Sequence, residues 1–205
     1  MFAICMWFFN INDYTKTKMN FINKYKNQLG IRFPTFQKLF EIAQERNLKN
    51  VIETGTARGK DKFYYLKPRI NWKDGMSTLL LAEYTKEIGG TFWSCDIDNK
   101  NIFNAYNFVD EIDCEVNFAI ADSIIFLRDL SLTIDILYLD SLDGNIDGAN
   151  EHQLNEAEIA INKMNQNGLI LLDDKGSKTE LSVPYFHKNG WEIIFETDQQ
   201  IILSQ

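Results

Sequence analysis

Five short apolar runs alternate with helically patterned stretches along this chain, and few folds accept that order. Runs rich in Val, Ile, Leu, Phe and Tyr occupy residues 50–54, 91–96, 115–120, 134–140 and 168–173. Helical patterning fills 77–88, 99–110, 123–130 and 151–165 between them. Strand, helix, strand in repetition requires crossover connections. These are right-handed and build a parallel sheet covered by helices on both faces. Two last runs, 191–196 and 199–203, have only Thr197 and Asp198 between them, a gap that fits an antiparallel hairpin. The expected fold class is α/β: a doubly wound, mostly parallel seven-stranded sheet closed by a C-terminal antiparallel hairpin.

A chain of 205 residues can bury such a core as one domain. Residues 1–48 are expected to form an N-terminal segment and a helix that pack on the core. In the helix, over 33–47, Phe36, Leu39, Phe40 and Ala43 share one face. Residues 49–205 form the α/β domain proper, interrupted at 60–75 by an insertion carrying Phe63, Tyr64, Tyr65, Pro68 and Trp72. Its aromatic content suggests a lid or substrate-facing loop, with a surface loop packed on the N-terminal segment as the plainer reading.

Three scattered cysteines, with no C-x-x-C and no Cys/His cluster, give neither a zinc site nor a disulfide framework, and a reducing cytoplasm suits them. No stretch approaches the ~20 apolar residues that span a bilayer. The formal net charge of −8 opposes a polyanionic partner, so no nucleic acid and no membrane is expected, and a small molecule is the better acceptor. The apolar opening residues, Phe2, Ile4, Met6, Trp7, Phe8 and Phe9, form a patch for which a second copy in a homodimer or the same subunit is the cover.

Open α/β sheets bind ligands outside the carboxyl ends of their strands. There this chain places Glu53 to Gly59, Asp96 and Asp98, Asp122 and Ser123, Asp140 to Asp143, and Asp173 with Asp174. So many carboxylates on one rim repel one another unless cations or hydroxyl donors stand among them. The first turn reads Glu53-Thr54-Gly55-Thr56-Ala57-Arg58-Gly59, and lacks the G-x-G-x-x-G of dinucleotide binders. An acidic residue before the glycine suits a cationic, amino-acid-bearing ligand better than a pyrophosphate.

This E-x-G-x-A-x-G run resembles the first motif of class I S-adenosylmethionine-dependent methyltransferases, with Ala57 in place of the usual middle glycine. The resemblance implies a Rossmann-like methyltransferase fold with S-adenosylmethionine held by Glu53, Gly55, Thr56, Ala57, Gly59 and, where the interrupted first helix resumes, Ser77. It places the ribose hydroxyls on Asp96 and the adenine side on Asp122 and Ser123. Asp122 or Ser123 could equally be a helix N-cap, the role that suits Asp98.

The runs ending Tyr138-Leu139-Asp140-Ser141 and Leu171-Leu172-Asp173-Asp174 are similar to the fourth and fifth strands of the catechol- and macrocin-type O-methyltransferase branches. That similarity implies a divalent metal on Asp140, Asp173 and Asp174, with Asp140 also beside the cofactor. Hard carboxylate oxygens suit Mg²⁺, Mn²⁺ or Ca²⁺. Many metal-free relatives of this fold end the same strands in Asp, so metal-free chemistry stays open. His152, one turn before Glu156, is a candidate general base on the loop after the fourth strand, with Asp143 as its rival. A capping or exposed histidine is the plain alternative.

The implied activity is methyl transfer to oxygen of a small molecule or sugar. Two other readings of the same rim stand beside it: a polyamine-synthase-like transferase, and a binding or scaffold protein without turnover. The missing G-x-G-x-x-G argues against a nicotinamide enzyme.

Overall fold

A computed structural model of the protein describes residues 21–61, 69–72 and 75–205. The main sheet has seven strands: β1 (Asn50–Thr54), β2 (Thr91–Asp96), β3 (Asn117–Ile120), β4 (Ile134–Leu139), β5 (Met164–Leu172), β6 (Glu192–Glu196) and β7 (Ile201–Ser204). Their spatial order is β3-β2-β1-β4-β5-β7-β6. β1 to β5 pair in parallel, while β7 lies antiparallel between β5 and β6. This is the doubly wound sheet with a C-terminal hairpin that the run order implied, and the Rossmann-like methyltransferase fold that the resemblance implied. Chain order steps outward from β1 through β2 to β3, then restarts at β4 on the other side of β1. The crevice beyond the carboxyl ends of β1, β2 and β4 is therefore the switch point.

Among the described residues, six helices of more than one turn cover the sheet: α1 (Phe33–Glu45), α2 (Ser77–Ile88), α3 (Asn99–Asp110), α4 (Ser123–Asp129), α5 (Ala149–Ala160) and α6 (Thr179–Lys188). Strand residues alternate between two buried layers because successive side chains point to opposite faces. Val51, Phe92, Ile136, Leu169 and Ile202 pack with α1, α2 and α3 on one face. Ile52, Cys95, Leu137, Ile170 and Leu203 pack with α4, α5 and α6 on the other. The first layer is aromatic: Phe40 stacks on Tyr84 with ring centroids 5.0 Å apart, and Phe36 meets Tyr138 edge-on at 6.0 Å. Every residue of β4, the strand between β1 and β5, is buried.

The structure departs from the sequence expectation most at β5, α5 and α6. β5 begins at Met164 instead of residue 168, because Gly168 lies within it at a bulge between the Ile134 and Ile136 pairings. A Cβ there would stand 2.8 Å from the Asn165 carbonyl oxygen and 2.9 Å from that of Asp135, so glycine permits the close approach. Helix α5 is shorter than the 151–165 pattern and ends in a 3₁₀ turn, Ile161–Lys163, that feeds β5. Helix α6 was not anticipated, because Pro184 lies inside it.

Residues 21–32 form short helical turns whose Phe21, Ile22, Tyr25 and Leu29 join the α1 layer. Within the insertion, Lys60–Asp61 pairs antiparallel with Arg69–Ile70. Trp72 lies against Tyr25, ring centroids 4.9 Å apart. Phe63, Tyr64, Tyr65 and Pro68 of the insertion, and the apolar segment 1–20, for which a second copy or the same subunit is the expected cover, lie outside the described residues. Among the described residues no helix is long and apolar enough to cross a membrane.

Candidate functional site

The turn after β1 is held from behind. Glu53 is completely buried, and its carboxylate accepts three hydroxyl hydrogen bonds: Ser77 Oγ at 2.7 Å, Thr78 Oγ1 at 2.7 Å and Ser94 Oγ at 2.6 Å. Burial pushes its pKa up to about 7, against the pull of those three donors. Thr78 also accepts the Ala57 N–H at 2.9 Å, so one hydroxyl joins β1, the turn and the start of α2. Glu53 and Ser77, expected on the cofactor, face inward here. The buried hydroxyl cage gives the carboxylate its partners, so both residues shape the turn from below. Gly59 likewise packs against Met76 and Phe108.

Gly55 stands at the front of the turn with φ +81°, and a Cβ on it would lie 2.3 Å from the Asp140 carbonyl oxygen. Its N–H donates to the Cys95 carbonyl oxygen at 2.9 Å. Asp96, at the end of β2, accepts from Asp98 N at 2.8 Å, from Asn101 Nδ2 at 3.2 Å and from Thr56 N at 3.3 Å. These donors fix the carboxylate beside the turn. Asp98 caps α3 through Lys100 N, and Asp122 caps α4 through Ile124 N and Ile125 N.

A cavity of about 230 Å³ opens at these strand ends, lined by Gly55, Asp96, Ile97, Asp122, Ser123 and His152, with Cys95, Ala121, Ser141 and Leu142 completing the wall. Gly55, Asp96, Asp122 and Ser123 of the expected cofactor set come together there. Thr56 and Ala57 are buried beside the turn and are not among its lining residues. His152 also belongs to this cavity: Nε2 lies 2.9 Å from Ser123 Oγ and 3.6 Å from Glu156 Oε1. The Glu156 carboxylate raises the His152 pKa against the opposing effect of burial. The expected base thus stands on the same wall as Asp122. Its rival Asp143 is exposed and gripped by Arg58 at 2.8 and 3.1 Å, which lowers its pKa and weakens it as a base.

A second cavity, about 510 Å³, lies over the ends of β5 and the β6–β7 turn, lined by Asn27, Gln28, Arg32, Trp72, Asp173, Asp174 and Gln199, among others. Arg32 donates to the Trp72 carbonyl oxygen, tying the N-terminal turns to the insertion.

Asp140, Asp173 and Asp174 do not gather around an open centre. Lys178 Nζ lies 2.6 Å from Asp140 Oδ1 and 3.1 Å from Asp174 Oδ2. Tyr138 Oη donates to Asp173 at 2.7 Å and to Asp140 at 3.2 Å, and Gly144 N donates to Asp174 at 3.1 Å. Among the described residues no group of three or more His, Cys, Asp or Glu could hold a metal ion. An ammonium and a phenol hold these oxygens, so the structure does not bring the expected metal set together around an open cation site. Asp140 is not among the residues lining the cavity at Gly55 and Asp96, where the next residue, Ser141, stands.

Lys178, Tyr138 and Arg32 were missed in the sequence. The signal for Lys178 was present, since it lies four residues after Asp174 across a glycine-containing turn.

No protein-family model matches the chain, and no curated protein matches it. Solved structures do. PaMTH1, a methyltransferase from Podospora anserina bound to SAH, matches with a TM-score of 0.59 at 12% identity over 100% of this chain and 99% of its own. An rRNA methylase from Streptococcus thermophilus matches at 0.59 and 10% identity over 85% and 96%. The T. thermophilus 16S rRNA N2 G1207 methyltransferase RsmC, in complex with AdoMet and guanosine, matches at 0.57 and 15% identity. That match covers 84% of this chain, which spans 43% of RsmC. At these identities the likeness is one of fold.

Proposed function

We propose that this chain is an S-adenosylmethionine-dependent methyltransferase acting on oxygen of a small hydroxylated molecule or sugar. The observation that carries the reading is the cavity at the switch point, where Gly55 and Asp96 stand together with Asp122 and Ser123. In such a cofactor site Gly55 would let the backbone approach the ligand, and Asp96 would accept the ribose hydroxyls. Asp122 and Ser123 would face the base, with His152 hydrogen-bonded behind Ser123. The bound cofactor would supply an electrophilic methyl group on a sulfonium.

The second cavity is then the acceptor side. Its amides, guanidinium and indole suit a polyol, giving hydrogen bonds around the ring and an apolar face beneath it. Holding the acceptor hydroxyl in line is the main task of these walls. Asp173 is the carboxylate there that can receive its proton, since Lys178 holds Asp174 as Arg58 holds Asp143. Several of the similar structures are described as rRNA methyltransferases. The net charge of −8 and this acidic rim favour a small acceptor in this chain.

Thermal denaturation with S-adenosylhomocysteine, decarboxylated S-adenosylmethionine and NAD⁺ tests the reading. Stabilisation by S-adenosylhomocysteine, and not by NAD⁺, is expected. Stabilisation by the decarboxylated cofactor alone would indicate aminopropyl transfer, and no response to any ligand would indicate a scaffold.

A further inference from the structure

We propose that Lys178 is the resident cation of the acidic rim and stands in for a divalent metal there. Lys178 is only 1% exposed, yet its stem leads to a carboxylate on either side: Asp140 Oδ1 at 2.6 Å and Asp174 Oδ2 at 3.1 Å. Isolated ammonium groups are rarely buried so completely, and paired ones are. Burial alone would disfavour its charge, but Asp140 and Asp174 outweigh that and keep it protonated.

The backbone is built to deliver it. Asp174 turns the chain with φ +52°, and its carbonyl oxygen accepts the Lys178 N–H at 3.1 Å. Lys175 N donates to the Gln199 carbonyl oxygen at 2.8 Å, anchoring the same loop to the β6–β7 turn. Lys178 is thereby returned over the rim at the start of α6.

Every carboxylate of the trio already has an internal donor. Asp140 has Lys178 and Tyr138, Asp173 has Tyr138 and the Asp174 N–H at 3.0 Å, and Asp174 has Lys178 and Gly144. A hard divalent cation needs six or more oxygens at roughly 2.0–2.6 Å. Here it would have to displace an ammonium that contacts two of the three groups. Lys178 is a positioning residue: it holds Asp140 and Asp174 in register, and Asp174 lines the acceptor cavity with Asp173. This placement goes beyond the proposed reaction and does not depend on it, so a failure of cofactor binding would leave it intact.

The test is Mn²⁺ titration of the full-length protein followed by electron paramagnetic resonance, with thermal denaturation of the same samples. Wild type and Lys178→Arg are expected to show no saturable Mn²⁺ binding. Lys178→Ala, with three carboxylates and no ammonium, is expected to melt lower, to bind Mn²⁺ saturably and to regain stability with it. A further Asp140→Ala change should abolish that gain. Saturable Mn²⁺ binding by wild type that Asp140→Ala removes would overturn the proposal, whether or not Lys178→Ala folds. So would a Lys178→Ala protein that melts like wild type and takes up no Mn²⁺.

Discussion

A Cβ on Gly55 would meet the Asp140 carbonyl oxygen at 2.3 Å, in a backbone conformation of φ +81° that disfavours any side chain. Gly55→Ala combines the left-handed penalty with overpacking, a cost of about 3 kcal/mol. Gly89 has φ +62° with nothing within 4 Å of its would-be Cβ, so Gly89→Ala should cost only about 1 kcal/mol. Urea denaturation of the two variants checks the difference. Glu53 gives a pH signature at the same turn. Its folded pKa of about 7 lies above the ordinary 4.5, so the folded state holds this proton more tightly than the unfolded chain does. The stability it contributes is complete below about pH 4.5 and is lost as pH rises through about 7. The loss is at most roughly 3 kcal/mol. Glu53→Gln should flatten that slope, measured as urea midpoints at pH 5 and pH 8. An unchanged slope would mean that another group sets it.

At the level of elements, two aspartates at the end of β2 have separate tasks. Asp98 caps α3 through Lys100 N, whereas Asp96 lines the proposed cofactor cavity. Asp98→Ala should cost about 1 kcal/mol of stability and leave ligand affinity unchanged. Equal loss of affinity in Asp98→Ala would show that the cap also shapes the site. The same contrast explains what the sequence could reveal. Strand ends were readable because apolar runs stop where polar residues begin, and Gly55, Asp96, Asp122 and Ser123 converge as their positions implied. The inward turn of Glu53 was not readable, since it depends on Ser77, Thr78 and Ser94 arriving from two other elements. Lys178 left a signal in its four-residue spacing from Asp174, but its role depends on where helix α6 starts. Pro184 hid that helix by breaking the local pattern. Periodicity reports which face of an element is buried, and long-range hydrogen bonds decide what a polar residue does there.

Across the whole molecule, the sheet order β3-β2-β1-β4-β5-β7-β6 puts the proposed cofactor cavity beyond β1 to β4 and the proposed acceptor cavity beyond β5 and the β6–β7 turn. The N-terminal turns and Trp72 line the proposed acceptor cavity, so residues before β1 contribute to that wall as well as to the core. With a net charge of −8, the protein is expected not to retain a structured RNA in filter binding at physiological salt, and firm, salt-sensitive retention would favour an RNA acceptor. The most direct measurement is calorimetric titration of S-adenosylhomocysteine into wild type and Asp96→Ala, each shown to be folded. Saturable binding to wild type that Asp96→Ala loses is the expected result. Absence of binding to folded wild type, or equal binding by both proteins, would contradict the cofactor site proposed at Gly55 and Asp96.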